Sequence, residues 1–330
     1  MTARSFINPA DAARFRLLLL RWYQKYHRKL PWRGESDPYR ILVSEIMLQQ
    51  TRVAVVEERY KKFVRQFPSA EALARSREKT VLAAWSGLGY YRRARGLHRA
   101  AREIVAQGAF PRSAVELMEL PGIGRYTAAA VASIAFGEPV AVVDGNVKRV
   151  LERIFAAAPS LGTLVAEKQY WELAEYLLDK SRAGDFNQAM MELGALLCLP
   201  GQPLCHKCPV AAMCSAKGPV ARKERERRRK AVLHYVLVRK NATVLLQQRS
   251  PQHSLMPGMW ELPLLEAGLN GDSQPMLKLR HSITTTDYTV FVHTAIRKNA
   301  NGGRWVSLDS AQRLPLTGLT RKILGRIADA

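Results

Sequence analysis

The stretch Leu120-Pro-Gly-Ile-Gly-Arg-Tyr-Thr-Ala-Ala-Ala constrains its local fold more than any other in the sequence. Ser113 and Glu116 have capping-box spacing, so a short helix opens there. Pro121 and Gly122 stop it. A second helix is predicted from near Gly124, through an Ala-rich face, to Gly137. Such a hairpin leaves backbone N–H groups at a helix N-terminus. Gly122 and Gly124 would let a phosphate approach them closely. An ordinary connection between two packed helices is the plainer alternative. Eighteen residues after Tyr126 stands Asp144, at an Asp-Gly-Asn turn before another helix. That triplet is also common turn chemistry.

Length and charge bound the rest. A chain of 330 residues predicts about two domains. Its net charge is +23, from 51 basic and 28 acidic residues. A polyanion such as nucleic acid is the expected partner. Residues 231–330 carry 12 Lys+Arg and 6 Asp+Glu, so most of the excess lies in residues 1–230. No apolar run reaches the ~18 residues needed to span a bilayer. The first residues lack the pattern of a secretory leader, so a cytosolic protein is expected, nucleoid-associated if bacterial.

The first two thirds of the chain read as helical. Phe15, Leu18, Leu19, Trp22 and Tyr26 recur with helical period over 11–29. Asp37-Pro38 is an N-cap followed by Pro at N1. In the helix that follows, Glu45 lies among Ile41, Leu42, Ile46 and Leu48. Burial would raise its pKa and make it a general acid near neutrality. A salt-bridged or edge-exposed Glu is the alternative. Further helices are predicted over 54–67, 70–76 and 78–86. Then Ser86-Gly-Leu-Gly-Tyr-Tyr-Arg-Arg-Ala-Arg sets aromatic residues beside arginines. This suits a wedge entering a base stack, or a turn between packed helices.

All four cysteines fall within residues 198–214, as Cys198-x6-Cys205-x2-Cys208-x5-Cys214. Such clustering favours a metal site over disulfides. Zinc suits four thiolates. A single compact cluster suits [4Fe–4S] better, and both remain open on spacing.

Together these stretches resemble the MutY-type adenine DNA glycosylases of the endonuclease III-like, helix-hairpin-helix base-excision superfamily. The resemblance rests on Leu30-Pro-Trp-Arg, Val43-Ser-Glu-Ile-Met-Leu-Gln-Gln-Thr, Gly87-Leu-Gly-Tyr-Tyr, the Gly-Ile-Gly hairpin, Val143-Asp-Gly-Asn-Val, Phe186-Asn-Gln-Ala and the cysteines, over about residues 15–216. It implies a multidomain protein. An all-α glycosylase domain (1–216) holds a structural [4Fe–4S] cluster on Cys198, Cys205, Cys208 and Cys214. A cation at the hairpin is a further expectation. The substrate it implies is duplex DNA with adenine opposite 8-oxoguanine or guanine, met by a monomer.

By the same resemblance Glu45 is the general acid and Asp144 the carboxylate that stabilises or traps the sugar cation. Tyr126 and Asn146 hold them. Arg28, Leu30, Trp32, Arg33 and Gln188 surround the flipped adenine, whereas Gln50, Thr51, Leu88 and Tyr90 probe the opposite base and wedge the duplex. Bifunctional relatives carry Lys where this chain has Tyr126; a phenol cannot form their Schiff base. A thymine-mismatch glycosylase can also have Tyr there. A non-catalytic DNA-binding metalloprotein is another alternative.

Residues 217–230 read as a basic linker, and 231–330 as a smaller α/β domain with strands at 231–238, 243–249, 276–283 and 288–296 and a final helix from about 317. Met256-Pro-Gly-Met-Trp-Glu-Leu-Pro resembles the approach to the Nudix box. The box itself is missing: residues 265–280 hold only Glu266 and Asp272 as acids. That argues against a Nudix hydrolase, which needs carboxylates for a hard divalent cation. The resemblance implies a non-hydrolytic Nudix-like domain that reads 8-oxoguanine. Its usual Phe-Ser-His loop aligns with His281-Ser282-Ile283 here, leaving Ser282 as the donor.

Overall fold

The computed structural model describes residues 7–155, 164–218, 228–253, 255–265, 274–283, 285–294, 303–311 and 313–328. Most of the basic run at 222–230 lies outside the described residues, as do Glu266 and Asp272. The chain divides into two compact units, residues 1–74 with 99–223 and residues 75–98 with 224–330. This differs from one continuous helical domain over 1–216. Residues 75–98 pack with the C-terminal part of the chain.

The helices of the N-terminal two thirds are α1 (Pro9–Tyr26), α2 (Pro38–Leu48), α3 (Val53–Gln66), α4 (Ala70–Arg75), α5 (Glu78–Ala84), α6 (Arg92–Gln107), α7 (Ala114–Met118), α8 (Arg125–Phe136), α9 (Gly145–Ile154), α10 (Leu164–Leu177) and α11 (Ala183–Leu196). Their starts follow local chemistry. Asn8 caps α1 with Pro9 at N1, and Asp37 caps α2 with Pro38 at N1. The Ser113/Glu116 capping box is present on α7. Gly137 ends α8 in the left-handed region, φ 70°.

In the first unit, α1 and α8 to α11 close around Phe15, Leu19, Ala130, Val147, Leu151, Leu177, Ala189 and Leu193. Two glycines of α11 set how closely its neighbours approach. A Cβ on Gly184 would lie 2.7 Å from the Ser133 carbonyl oxygen of α8. A Cβ on Gly194 would lie 2.6 Å from Asn146 Cβ and 2.9 Å from its carbonyl oxygen on α9. The α9–α11 contact is thus a backbone-to-backbone approach at the residue next but one to Asp144.

The second unit carries two small sheets. In the first, β6 (Thr286–Thr294) lies between β1 (Arg229–Leu237), parallel to it, and β5 (Leu277–Ile283), antiparallel to it. In the second, β3 (Thr243–Gln248) pairs antiparallel with β2 (Arg239–Lys240), β4 (Trp260–Glu261) and β7 (Gly303–Ser307). A short helix α12 (Leu308–Ala311) precedes α13 (Gly318–Ala328). Leu319, Ile323 and Ile327 of α13 share one face and pack with Tyr235, Leu246, Leu279, Val290 and Val306. Glu261 is buried in a bidentate pair with Arg249, 2.7 Å at both contacts, so its charge is already matched.

His281, Ser282 and Ile283 stand in strand β5 itself, not in a loop before it. Cross-strand register pairs Ser282 with Asp287, and the Ser282 hydroxyl donates to Asp287 Oδ1 at 2.6 Å. Arg228 bonds the same carboxylate.

Gly194→Ala should destabilise the protein by about 1–3 kcal/mol, the usual cost of overpacking. Denaturant unfolding checks this. Unchanged stability would mean that α9 and α11 can separate freely.

Candidate active site

The site is a cavity of about 660 Å³ within the first unit. Helices α2, α8, α9 and α11 and the segment after α1 each contribute to its wall. Glu45 enters from α2, a helix whose residues Ile41 to Met47 are all buried. The Tyr126 hydroxyl, from the first turn of α8, donates to Glu45 Oε2 at 2.7 Å and also lies 3.1 Å from the Met191 sulfur. Burial pushes the Glu45 carboxyl above its ordinary value. The Tyr126 hydrogen bond and the Arg33 charge oppose this, and the Asp144 charge reinforces it. Burial, helped by Glu45 and Asp144, pushes the Tyr126 phenol well up, so it stays a donor.

Asp144 has a different setting. It is the N-cap of α9, and its Oδ1 accepts from the backbone N–H of Asn146 at 2.9 Å and of Val147 at 2.7 Å. The Asn146 side-chain amide donates to Asp144 Oδ2 at 2.9 Å. Arg149 fixes that amide in turn. It donates to Asn146 Oδ1 at 2.8 Å, to the Gly194 carbonyl at 2.7 Å and to the Cys198 carbonyl at 2.7 Å. Three N–H donors thus fix both oxygens of the Asp144 side chain at the start of α9. The cavity therefore joins a carboxyl whose proton affinity burial raises, Glu45, to a carboxyl group fixed in place by three N–H donors, Asp144.

Arg28, Leu30, Trp32, Arg33, Gln50, Thr51, Gly122, Gly124 and Asn146, all named in the sequence reading, also line the cavity. Gln188 does not. It is buried, and its side-chain oxygen accepts from Arg33. Leu88 and Tyr90 belong to the second unit and are absent from the lining. Leu88 is 4% exposed, so its side chain is a core group and not a wedge; Tyr90, 42% exposed, is the outward one.

Glu192 was not foreseen. It is almost fully buried. Arg28 binds it in bidentate fashion at 2.8 Å, and Arg33 donates to it at 3.0 Å. Burial pushes its carboxyl up, but the Arg28 hydrogen bonds and both arginine charges outweigh that and leave it below its ordinary value. A carboxylate within Met190-Met191-Glu192-Leu193 is the same signal that marked Glu45 in α2.

The hairpin has the expected form. Gly122 has φ 82°, Gly124 is the N-cap of α8, and no side chain caps that end. The four cysteines are free thiols that share one neighbourhood. Burial pushes Cys208 up to about 11, and Cys198, Cys214 and Cys205 add to this. Among the described residues no three His, Cys, Asp or Glu stand in a metal-holding arrangement. The surroundings nevertheless suit an anionic sulfur group. The buried guanidinium of Arg153 donates to Cys198 Sγ at 3.1 Å, and its Nε has no hydrogen-bond partner among the described residues. The Gly218 N–H donates to Cys205 Sγ at 3.4 Å.

With that geometry in place, comparison with known proteins is informative. Residues 43–175 match the HhH-GPD superfamily of base excision DNA repair proteins. The chain is 44% identical over 230 residues to the human adenine DNA glycosylase, an alignment covering 66% of this chain and 42% of that protein. It is 45% identical over 233 residues to the adenine DNA glycosylase of Arabidopsis thaliana, covering 62% and 37%. The chain thus spans less than half the length of these curated relatives. A solved thermostable thymine-DNA glycosylase is 32% identical with a TM-score of 0.58, covering 62% of this chain and 96% of that one. The chain belongs to the HhH-GPD superfamily of base excision DNA repair proteins.

The raised Glu45 carboxyl has a stability consequence. Its folded pKa lies above the unfolded one, so the folded state holds a proton that the unfolded state releases. Stability is therefore lost as pH rises above the unfolded value of about 4.3. Glu45→Gln keeps the acceptor for Tyr126 and does not titrate. It should melt higher than the parent at pH 7, with the gap closing by pH 4. Thermal melts across that range check this; a gap that widens toward acid pH would be the wrong sign.

Proposed function

We propose that this chain is a monofunctional DNA glycosylase of base excision repair that hydrolyses the N-glycosidic bond of adenine mispaired with 8-oxoguanine or guanine in duplex DNA. The observation that carries the reading is the pair of unlike carboxyls in one cavity, Glu45 buried under the Tyr126 hydroxyl and Asp144 capping α9. A flipped base must enter such a cavity before reaction. Glu45 protonates the departing adenine at N7, and Asp144 stabilises or traps the oxocarbenium-like sugar. Asn146 orients Asp144. Glu192 holds Arg28 and Arg33 at the wall where the base edge would lie. With Tyr126 in place of an amine, no Schiff base forms and the strand is not cut by β-elimination.

Cys198, Cys205, Cys208 and Cys214 would hold a [4Fe–4S] cluster, with Arg153 balancing its negative charge. The cluster would supply a structural anchor for the 198–214 loop and no chemistry to the cleavage. A hairpin cation, a monomeric state and a Nudix-like role for the second unit belong to the same reading. Ser282 is the donor to 8-oxoguanine; its hydroxyl must then leave Asp287. No helix among the described residues is long and apolar enough to cross a membrane.

The thymine-DNA glycosylase likeness supplies the rival substrate, so the test uses one duplex set in single-turnover cleavage. It contains adenine opposite 8-oxoguanine, guanine and thymine, plus thymine opposite guanine. Adenine should be released and thymine not, and the reverse overturns the substrate assignment. Glu45→Gln should slow release about 10²–10⁴-fold, the range for a lost general acid. Asp144→Asn should slow it about 10²–10³-fold. Either variant cleaving at the parental rate, correctly folded, overturns the mechanism.

Anaerobically purified protein should be yellow-brown and hold about four irons and four sulfides per chain. Stoichiometric zinc without iron overturns the cluster.

A further inference from the structure

The Gly87–Tyr90 turn ends on a strained residue. Gly87, Gly89 and Tyr90 have φ of 97°, 68° and 44°, three left-handed residues in four. For Tyr90 that conformation is strained. Such a turn persists only where its surroundings over-determine it. Two sets of contacts do so, both within the second unit.

The first set is local. Arg93 is buried, and its guanidinium lies 5.6 Å from the centre of the Trp85 ring and 5.5 Å from that of Tyr90. It also donates to the Leu88 carbonyl at 3.0 Å. The Trp85 indole N–H donates to the Gly89 carbonyl at 3.1 Å. A cation near two aromatic rings is favourable for both. Tyr90 itself remains 42% exposed.

The second set comes from more than 160 residues away in sequence. The Tyr91 hydroxyl donates to the Leu316 carbonyl at 2.9 Å. Arg321 Nε donates to the Ser86 hydroxyl oxygen at 2.6 Å. Arg95 donates to the Pro257 carbonyl at 2.8 Å while paired with Glu78. Ser86 and Tyr91 are buried, so these bonds are shielded from water. Their partners are themselves fixed. Trp260 of β4 donates its N–H to the Pro315 carbonyl, Thr317 returns one to Trp260, and Arg321 sits one turn into α13 from Thr317. The Met256-Pro-Gly-Met-Trp stretch thus holds α6 through Pro257 and the Leu316 turn through Trp260.

We propose that Arg321 and Tyr91 are positioning residues for DNA reading: the C-terminal β/α body grips Ser86 and Tyr91 on either side of the turn and so fixes Tyr90 as a rigid stacking face for a base of the bound duplex. This rests on the glycosylase reading and goes beyond it. The C-terminal body then acts on the mispair through the turn as well as through its own surface.

The test uses the full-length protein and a duplex with 2-aminopurine beside an adenine–8-oxoguanine mispair, with Glu45→Gln in every protein so that no base is released. Tyr90→Ala should abolish the fluorescence change that accompanies binding. Arg321→Met keeps the stem and loses the donor. It should weaken the stacked complex about fivefold, the size of one net hydrogen bond. Tyr91→Phe removes a single hydroxyl and should do the same, which guards against a misfolded Arg321 variant. In a Tyr90→Ala background both substitutions should have no further effect on affinity, because their influence passes through that ring. A merely structural role would weaken binding equally in both backgrounds. That result overturns the proposal while leaving the glycosylase reading intact. If Tyr90→Ala itself changes neither fluorescence nor affinity, the turn reads no base and the proposal falls with it. Cleavage of the duplex set by protein with Glu45 intact reports separately on the glycosylase reading.

Discussion

A carboxyl group buried in an otherwise apolar helix is the constraint around which the first unit is arranged. Desolvating a charge is too costly for the group to remain ionised without compensation. Glu45 therefore needs either a proton or compensation, and in the cavity burial raises its proton affinity while the Tyr126 hydroxyl donates to it. Glu192, equally buried, receives the opposite solution, two arginines. Two acids one wall apart are thus held in unlike states by their neighbours alone. Asp144 represents a third case, a carboxyl group fixed by the first N–H groups of α9 and by Asn146. The chemistry proposed for the site uses that difference and needs no unusual residue type.

Holding three acids in three settings requires the helices to keep their places. Gly194 lets α11 touch the backbone of Asn146, so the helix that carries Glu192 also fixes the residue that orients Asp144. Arg149 extends the connection to the first cysteine by donating to the carbonyls of Gly194 and Cys198 as well as to Asn146. A structural group on the cysteines would thus brace the end of α11 through Arg149.

What was legible in the sequence was what is locally encoded. Asp37, Ser113 and Asp144 start helices where their side chains meet N–H groups two or three residues on, and those signals do not depend on the rest of the fold. Glu45 was legible because a charge interrupts an apolar face. Glu192 carried the same signal, but its meaning lies in Arg28, 164 residues away. Gln188 fitted a motif, yet its side chain is taken by Arg33. Leu88 reads as a surface wedge beside two glycines, but the left-handed backbone on either side turns its side chain into the core. The membership of 75–98 in the C-terminal unit has no local trace, since Ser86, Tyr91 and Arg95 meet their partners, the Arg321 guanidinium and the Leu316 and Pro257 carbonyls, only through the tertiary fold.

That last assignment has a physical reason. Prising a base from its stack costs a few kcal/mol, and a side chain that substitutes for it must not yield first. A turn with two flexible glycines and a strained left-handed Tyr90 is a poor support by itself, because Tyr90 gains by relaxing to an ordinary conformation and the glycines do not hold it. Rigidity has to be imported. A long helical neighbour offers side-chain packing, which tolerates sliding, whereas buried hydrogen bonds to fixed carbonyls do not. The second unit supplies bonds of that second kind at Ser86, Tyr91 and Arg95, from a turn and a helix tied to its own sheet. On this view the discontinuity of the two units is a mechanical requirement: the turn belongs to the body that can hold it still, and not to the stretch of sequence in which it occurs.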